Sequence, residues 1–500
     1  MQRLRADALS PPCLVRKVLQ RRPDRRAARG AWPHRRLFLD RPPARRRLHP
    51  RALHAGRGRI SRGRQRLLGD RGRAGRPRAR HARRGRAADL RNARGPAPRL
   101  RLPSRRHGKG PAMTYDSYVT GVGVHKFGRW AEKSTIELAA VAIEGALKDA
   151  GISFADVQAA YLGAEYSSFI DGRMIVQHFG WTGIPINHYQ QACASGSAAF
   201  REACHAVASG RIDVALVCGY EKMAGGLLKG GEAGRDREFH LHGMGLDVTP
   251  ARIAMAIQRR MEMYGDTPEM LAVEAAQCYE YGALNEAGPQ RPPATVDEIL
   301  DSGVICSPFT RKMCCNSSDG AAAAIVMNRK AAARFGCMDR AINVAGVVAG
   351  SPDADDLVGG PGPHIGGDFR TGDHTRKVAA KAYEMAGVGP GDVDLVQCHA
   401  PFAGGGMICA EALGFCEPGE GGRFFLEGHA RIDGRTPINT DGGLIARGHP
   451  LGATGVVEVY ELTRQLRGEG GALQVPGNPR VALAHNTGLG CLNAHIFIRP

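Results

Sequence analysis

The stretch NHYQQACASGSAAFREACHAVASGRIDVALVCGYEKM, residues 187–223, constrains the fold most, because it places a strand, a helix and a second strand in direct succession. The polar, strand-like run ends among small residues, and a helix is predicted from about Ser195 to Ala208. The apolar run RIDVALVCGYE then predicts a buried strand. Buried strands that are joined through helices are typical of an α/β protein.

The same order of elements recurs along the chain. SYVTGVGVHKFG predicts a first strand, and Ser134 with Glu137 predicts a capped helix that stops at Gly151. Farther on, GHPLGATGVVEVYELTRQLRG predicts a turn and a helix, and RVALAHNTGLGCLNAHIFIRP predicts two closing strands. We therefore expect two halves of similar architecture, the first over residues 113–340 with a loop insertion at about 224–300, the second over residues 341–500.

Residues 1–112 differ sharply in composition from the rest of the chain. They hold 34 arginines and no glutamate, so they account for the net charge of +21, and the remainder is acidic. Sequence this rich in Arg, Gly and Pro cannot bury enough apolar surface to offset chain entropy. We expect either a disordered tail suited to nucleic-acid binding or targeting, or a stretch outside the true reading frame, with the protein starting at Met113.

The remaining cysteines bear on the cellular compartment and on metal binding. Twelve of them follow Met113 at irregular spacing, without the paired spacing of a zinc site. No run reaches the 18 or so apolar residues that a membrane span needs. We therefore expect reduced thiols in a cytoplasmic enzyme, with no metal, no membrane span and no nucleic-acid partner for this part of the chain.

Cys193 is the candidate nucleophile. It precedes the helix predicted from Ser195, where unpaired backbone N–H groups and the helix dipole favour a thiolate. The small residues around it would admit a bulky acyl group and offer N–H groups to an oxyanion. A cysteine in an Ala-rich stretch is more often buried filler, so this interpretation depends on the other motifs.

Three histidine motifs supply candidate partners. His449 lies in the Gly-rich turn of NTDGGLIARGHPLGATG, His399 ends the strand VDLVQCH, and His485 follows a strand in HNTGLG. A neutral imidazole at His449 could take the thiol proton. A histidine at the carboxyl end of a strand in an α/β protein, such as His399, is placed to meet a ligand.

Taken in order, the Cys-Ala-Ser-Gly helix, SSDGAAAAIVM, HAPF and GHPLGATG resemble the thiolase superfamily, and within it the sterol-carrier-protein type and the bacterial lipid-transfer-protein thiolases. The resemblance spans roughly Tyr118 to Arg499. It implies a five-layered αβαβα fold of two similar halves, a homodimer, and acyl-CoA substrates with coenzyme A as co-substrate and no permanently bound cofactor. It also implies that Cys193 is acylated, that His449 activates it, and that His399 supports the oxyanion site.

The chain departs from this family at the second acid/base. The best-known members place a cysteine in a Cys-x-Gly motif, where this chain has His485. The sterol-carrier type has a His-Asp-Cys-Phe motif, where this chain has Ala400 and Pro401. His485 could serve as the acid/base because imidazole titrates near neutrality, and Cys491 is a second candidate.

The resemblance thus implies an acyl-CoA C-acyltransferase that cleaves a 3-oxoacyl-CoA, or runs the reverse Claisen condensation, through an acyl-Cys193. Two alternatives stay open. One is a thiolase-fold lyase that cleaves a 3-hydroxyacyl-CoA by retro-aldol reaction, and the other is a non-catalytic acyl-CoA or lipid carrier. Some relatives work with a small zinc-ribbon/OB-fold partner protein, so a hetero-oligomer is a further expectation.

Overall fold

A computed structural model describes residues 115–223, 249–352, 372–488 and 491–500 of the chain. The predictions for residues 1–112 and for a start at Met113 concern residues outside these ranges. Residues 224–248, the first part of the predicted insertion, also lie outside them. The described residues all belong to one compact unit.

Eleven strands are present in the described ranges, and they are numbered here in chain order. They are β1 (Tyr118–Gly128), β2 (Ala159–Gly163), β3 (Ile186–Tyr189), β4 (Val214–Glu221), β5 (Val304–Cys306), β6 (Phe309–Thr310), β7 (Asp319–Met327), β8 (Ile342–Gly350), β9 (Leu395–Cys398), β10 (Val481–Gly488) and β11 (Cys491–Ile498).

Twelve α-helices are present in the same ranges. They are α1 (Thr135–Ala150), α2 (Phe169–Phe179), α3 (Ser195–Ala208), α4 (Thr249–Tyr264), α5 (Pro268–Gly282), α6 (Val296–Leu300), α7 (Arg329–Arg334), α8 (Asp373–Ala386), α9 (Gly405–Ala412), α10 (Gly421–Leu426), α11 (Gly443–Ala446) and α12 (Leu451–Arg467).

Local sequence signals set several of these bounds. The Ser134 side chain accepts a hydrogen bond from the Glu137 backbone N–H, and the Glu137 carboxylate accepts from the Ser134 N–H, which forms the capping box that starts α1. The helix ends where Gly151 adopts a left-handed conformation. Helix α3 spans the residues that the sequence predicts for it.

Nine strands form one mixed sheet, in the order β3-β2-β4-β7-β1-β8-β11-β10-β9. The order is symmetric about the short β1–β8 contact, so that β7 corresponds to β11, β4 to β10, and β2 to β9. Even β3 has a counterpart, because Ile438 forms a parallel bridge with Val396 on the outer side of β9. The prediction of an α/β fold with two similar halves is confirmed.

Three hydrophobic clusters divide the molecule into layers. One cluster joins α1 and the outer face of the first-half strands, and another joins α8, α9 and the outer face of the second-half strands. Between them, a third cluster packs α3 and α12 against the inner faces of both sets of strands. The layers therefore run helix, sheet, helix, sheet, helix, with α3 and α12 at the centre.

Glycines allow the two central helices to approach closely. A Cβ atom built on Gly196 of α3 would overlap the carbonyl oxygen of Gly452 in α12. A Cβ atom on Gly163 of β2 would lie 2.6 Å from the carbonyl carbon of Ser195. These contacts bring the first turns of α3 and α12 side by side, and the candidate site lies there.

Within the described ranges, none of the helices has both the length and the apolar character to cross a membrane.

Candidate active site

The turn that precedes α3 holds Cys193 in a constrained backbone. Ala192 has a φ of 50°, in the left-handed region that a residue with a side chain rarely adopts. The Ser195 hydroxyl donates to the Ala192 carbonyl oxygen at 2.7 Å and accepts from the Gln191 N–H at 2.8 Å. Cys193 is fixed at the apex of this turn and stays partly accessible to solvent.

His449 reaches Cys193 from the turn that precedes α12. Its Nε2 atom lies 3.1 Å from the Cys193 sulfur. Its Nδ1 atom lies 2.7 Å from the Thr454 hydroxyl, which donates its own hydrogen to the Pro450 carbonyl oxygen at 2.9 Å. Because the Thr454 oxygen is then an acceptor, Nδ1 carries the imidazole hydrogen and Nε2 offers a lone pair to the Cys193 thiol.

His399 completes the group from the end of β9. Its ring meets the ring of His449 edge-on, with the centroids 5.1 Å apart, and only 4% of His399 is exposed. Ligating atoms of Cys193, His399 and His449 all lie within 4.8 Å of one another. Neither ring nitrogen of His399 has a hydrogen-bond partner among the described residues, so the ring has a donor free for a bound oxygen.

The electrostatics of the site differ from the expectation of a thiolate at Cys193. Burial raises the pKa of the Cys193 thiol to about 12, and the nearby Glu165 and Glu221 carboxylates raise it further. The prediction that the start of α3 favours a thiolate is therefore wrong for the free protein. The N–H groups of Ala194 and Ser195 donate to carbonyl oxygens within the turn and do not face the sulfur.

Both site histidines are neutral. Burial lowers the pKa of His449 to about 3, and the positive charge of Arg447 adds to this effect. Burial, followed by the neighbouring His449, holds the pKa of His399 well below its usual range. The resting site thus contains a thiol and two neutral imidazoles, and His449 is available as a base over the whole physiological range.

Two carboxylates that the sequence did not reveal hold the site together. Glu221, at the end of β4, accepts hydrogen bonds from the N–H groups of Glu165 at 2.8 Å and Gly452 at 3.2 Å, which ties the first turn of α12 to the first half. Glu165 in turn accepts from the Ala192 N–H at 2.9 Å. The position of Glu221 directly after the buried run DVALVCGY was the available signal.

A buried ion pair supports the turn of His449. Arg447 and Asp441 are both about 1% exposed and form a salt bridge within the Gly-rich segment. The Asp441 carboxylate also accepts from the Gly443 N–H at 2.8 Å. The sequence analysis did not identify this pair, although both residues lie inside the motif that it quoted.

The ring of His485 lies on the other side of the sheet. Side chains alternate between the two faces of a strand, and Ala484 packs into the central cluster with α3 and α12. His485 therefore faces the outer helices, where its Nε2 atom is 3.1 Å from the Thr375 hydroxyl and its Nδ1 atom is 3.6 Å from the Cys409 sulfur. Its carbonyl oxygen accepts from the His399 N–H at 2.9 Å.

Of the four predicted site residues, the structure brings together Cys193, His399 and His449, while His485 touches this group through its backbone. Cys491 starts β11, and the side chain of the next residue, Leu492, packs into the outer cluster, so Cys491 faces the central layer. The acid/base roles of His485 and Cys491 stay predictions.

The three clustered residues are also a donor set that zinc accepts. A ligating histidine usually donates its second ring nitrogen to a carboxylate or carbonyl oxygen. His449 instead bonds to the Thr454 hydroxyl, and His399 has no such partner among the described residues. The arrangement fits a Cys–His nucleophile better than a metal centre.

Comparison with family models matches both halves of the chain. The model described as "Thiolase, N-terminal domain" matches residues 116–274, and the model described as "Thiolase C-terminal domain-like" matches residues 368–499. These ranges contain Cys193 in the first match and His399, His449 and His485 in the second.

Several characterised proteins are similar in sequence. An acetyl-CoA acetyltransferase of Methanothermobacter thermautotrophicus is 36% identical over 77% of this chain and 100% of the relative. Sterol carrier protein 2 of Gallus gallus is 35% identical over 78% of this chain and 73% of the relative. The benzoylsuccinyl-CoA thiolase subunit BbsB of Thauera aromatica is 33% identical over 75% of this chain and 95% of the relative.

Solved structures share the fold at lower identity. The Ltp2-ChsH2(DUF35) aldolase superposes with a TM-score of 0.68 at 23% identity, over 77% of this chain and 98% of that one. Human mitochondrial 3-ketoacyl-CoA thiolase in complex with CoA gives a TM-score of 0.58 at 18% identity, over 77% and 98%. Since both family models match and three relatives exceed 30% identity over three quarters of its length, the chain belongs to the thiolase family.

Proposed function

We propose that this protein is a thiolase that cleaves a 3-oxoacyl-CoA with coenzyme A, or runs the reverse Claisen condensation, through an acyl-Cys193 intermediate. The observation that carries the proposal is the chain of contacts from Cys193 Sγ to His449 Nε2 and from His449 Nδ1 to the Thr454 hydroxyl. A nucleophile, a base and a group that orients the base are the parts that covalent catalysis needs.

The first step joins attack to proton transfer. The Cys193 sulfur attacks the 3-oxo carbon as its proton moves to His449 Nε2, because a thiol with a raised pKa gives up its proton only as the new C–S bond forms. The imidazolium that results keeps its Nδ1–H on the Thr454 oxygen. His399 donates to an oxygen of the substrate that gains negative charge.

The second step breaks the carbon–carbon bond and regenerates the enzyme. The tetrahedral intermediate collapses to acyl-Cys193 and an enolate of the shorter acyl-CoA, which takes up a proton at carbon. Coenzyme A then attacks the acyl group, its thiol proton replaces the one that went to carbon, and His449 returns the proton that it took in the first step to the departing Cys193 thiolate. Coenzyme A is thus a co-substrate, and no permanently bound cofactor is required.

The test follows mass and product together. Acetoacetyl-CoA, 3-oxooctanoyl-CoA, benzoylacetyl-CoA and the corresponding 3-hydroxyacyl thioesters are incubated with the protein, with and without free coenzyme A. We expect cleavage of an oxo substrate that depends on coenzyme A, with an acyl mass on the Cys193 peptide. The variant Cys193→Ser should lose both, while Cys306→Ser, a change in the remote strand β5, should lose neither.

Other outcomes point to the alternatives. Cleavage of a hydroxy substrate without coenzyme A, and without acyl-Cys193, would replace the thiolase by a retro-aldol lyase. Binding of every thioester without turnover would instead support a non-catalytic acyl-CoA or lipid carrier.

We also propose a homodimer that forms through β3. This strand is the edge of the nine-stranded sheet, and apolar side chains beside it are exposed, among them Ile170 at 58% and Trp181 at 84%. An open strand edge beside exposed apolar residues favours pairing with a second copy. Ile170→Glu should therefore yield monomers in analytical ultracentrifugation, whereas Leu284→Glu, at an exposed leucine elsewhere, should not.

A further small partner protein, expected from the resemblance, is supported by the names of two similar proteins. One is called a subunit, and the other contains a DUF35 component. Co-expression of this chain with adjacent small reading frames, followed by affinity purification, would test for such a complex.

A further inference from the structure

The proposed cleavage needs a group that protonates carbon, and the described residues offer a third candidate beside His485 and Cys491. His485 points away from Cys193, and Pro401 has no titratable side chain. The segment just before β7, which contains Cys315 and Asn316, instead runs directly through the site. No motif in the sequence analysis gave Cys315 a role.

Backbone contacts fix Cys315 between the two site histidines. Its N–H donates to the Pro401 carbonyl oxygen at 2.7 Å, two residues beyond His399. The carbonyl oxygen of the next residue, Asn316, accepts from the His449 N–H at 3.1 Å. Cys315 is therefore held on one side by the strand end that carries His399, and on the other by the turn that carries His449.

The Cys315 thiol interacts electrostatically with Cys193. Burial raises the pKa of the Cys315 thiol, and the Cys193 thiol raises it further. Cys315 also keeps partial solvent exposure, unlike the fully buried Cys398 behind it. Its thiol is a weak acid that stays protonated until a strong base arrives, and a carbanion-like enolate is such a base.

We propose that Cys315 is the acid/base of the carbon–carbon step, an inference that rests on the proposed thiolase function. In cleavage, its S–H proton passes to the α-carbon of the leaving enolate, which leaves a Cys315 thiolate and a neutral acyl-CoA. The thiolate regains a proton when coenzyme A delivers its own to the site. In condensation, the same thiolate removes an α-proton from an acyl-CoA before that carbon attacks acyl-Cys193.

His399 gives independent support for a reacting oxygen beside this thiol. Its ring is buried beside Cys193, and neither nitrogen has a partner among the described residues, so a ring N–H is left to donate to a bound oxygen. A thioester oxygen bound there would develop charge as the enolate forms.

The test separates proton transfer at carbon from acyl transfer at sulfur. Cys315→Ala and Cys315→Ser are compared with Cys314→Ser, the neighbouring cysteine whose sulfur contacts the Thr310 carbonyl oxygen instead. Three rates are measured: cleavage of the oxo substrate that the wild type cleaves fastest, exchange of acetyl-CoA α-hydrogens in D₂O, and exchange of labelled coenzyme A into acetyl-CoA.

We expect both Cys315 variants to lose cleavage and hydrogen exchange by about 10²- to 10⁴-fold. Exchange of labelled coenzyme A should persist in both, because it needs Cys193 and His449 alone, and this persistence also shows that the variants fold. Cys314→Ser should match the wild type in all three rates.

Two results would overturn the inference, and they differ from each other. If the wild type cleaves and the Cys315 variants cleave equally well, the role of Cys315 fails while the thiolase stands; a parallel loss in Cys491→Ser or His485→Gln would then assign the acid. If the wild type cleaves no oxo substrate and forms no acyl-Cys193, the thiolase proposal fails and the role of Cys315 fails with it.

Discussion

The turns that precede α3 and α12 occupy equivalent places in the two halves, yet they present opposite chemistry. The turn before α3 is strained at Ala192 and carries the partly exposed thiol of Cys193, the proposed nucleophile. The turn before α12 uses Gly448, with a φ of 107°, and buries a base, His449. Neither turn alone contains the proposed catalytic pair, because the sulfur comes from one half and the imidazole beside it from the other.

The difference shows that the repeated architecture sets where the two turns lie, whereas the residues of each turn set its chemistry. Symmetric strand order brings the starts of both central helices to one place, and glycine contacts between α3 and α12 keep them there. Of the two central helices, only α12 buries acids: Glu458 and Glu461 are buried in α12, whereas the buried residues of α3 contain no carboxyl group.

The largest effect is expected from removing the base. His449→Ala should lower the rate of acyl-Cys193 formation by roughly 10⁴-fold, because the thiol then has no acceptor for its proton. Quenched-flow mass spectrometry of the Cys193 peptide measures this rate. His429→Gln, at a half-exposed histidine that pairs with Glu427, should acylate normally. Rapid acylation in His449→Ala would mean that Cys193 is activated by its own turn.

Separating α12 from the ends of β2 and β4 should cost stability next. A Cβ at Gly452 would overlap the carbonyl oxygens of Tyr220 and Gly163, so Gly452→Ala should lower the free energy of unfolding by about 1 to 3 kcal/mol. Gly391→Ala is the matched control, since nothing lies within 4 Å of its Cβ position. Urea titration compares them, and equal stabilities would show that α12 can move away from these strands freely.

A smaller effect on rate should come from the group that orients the base. Thr454→Val removes the acceptor of the His449 Nδ1–H, and kcat should fall roughly 10- to 100-fold with little change in KM. Thr454→Ser keeps the hydroxyl and should restore most of the rate. If valine and serine act alike, the backbone of the turn orients His449 without help.

The smallest effect concerns pH and the acids of α12. Burial raises the pKa of Glu458 to about 8 from 4.5, although Asn486 donates to its carboxyl group and Arg447 and His485 are near. Between those values the folded protein holds a proton that the unfolded chain has released, so stability falls as pH rises from about 5 to 8.

In Glu458→Gln, the loss of unfolding free energy between pH 5 and pH 8 should be smaller by on the order of 1 kcal/mol. The remaining loss should come from Glu461, whose pKa is raised to about 7 by burial. Unfolding free energies at pH 5 and pH 8 give the slope. Glu286→Gln, at an exposed residue, should leave the slope unchanged. An unaltered slope in Glu458→Gln would place the pH dependence elsewhere.

Much of the fold was predictable because its signals are local. The capping box at Ser134, the stop at Gly151 and the bounds of α3 follow from residues within one helical turn of each other. The grouping of Cys193 with His399 and His449 followed from an ordered set of motifs that resembles one family. These signals can be read without knowing the register of any strand.

Which face of a strand lies toward the site was not predictable in the same way. His485 and Ala484 are neighbours in sequence, and only the pairing of β10 with β9 and β11 decides which of them faces α12. The pKa of Cys193 was misjudged for a related reason. The helix dipole is readable from sequence, whereas the burial of the sulfur and the approach of Glu165 and Glu221 depend on the assembled layers.

The sequence by itself determined which elements form and which cysteine and histidines are candidates for the site, because helix caps, small-residue turns and alternating apolar runs act over a few residues. Only the tertiary structure decided which face His485 presents, that Cys193 rests as a thiol, and that Cys315 lies between His399 and His449. Those properties depend on strand register and on the desolvation of groups far apart in the chain, and no local pattern encodes either one.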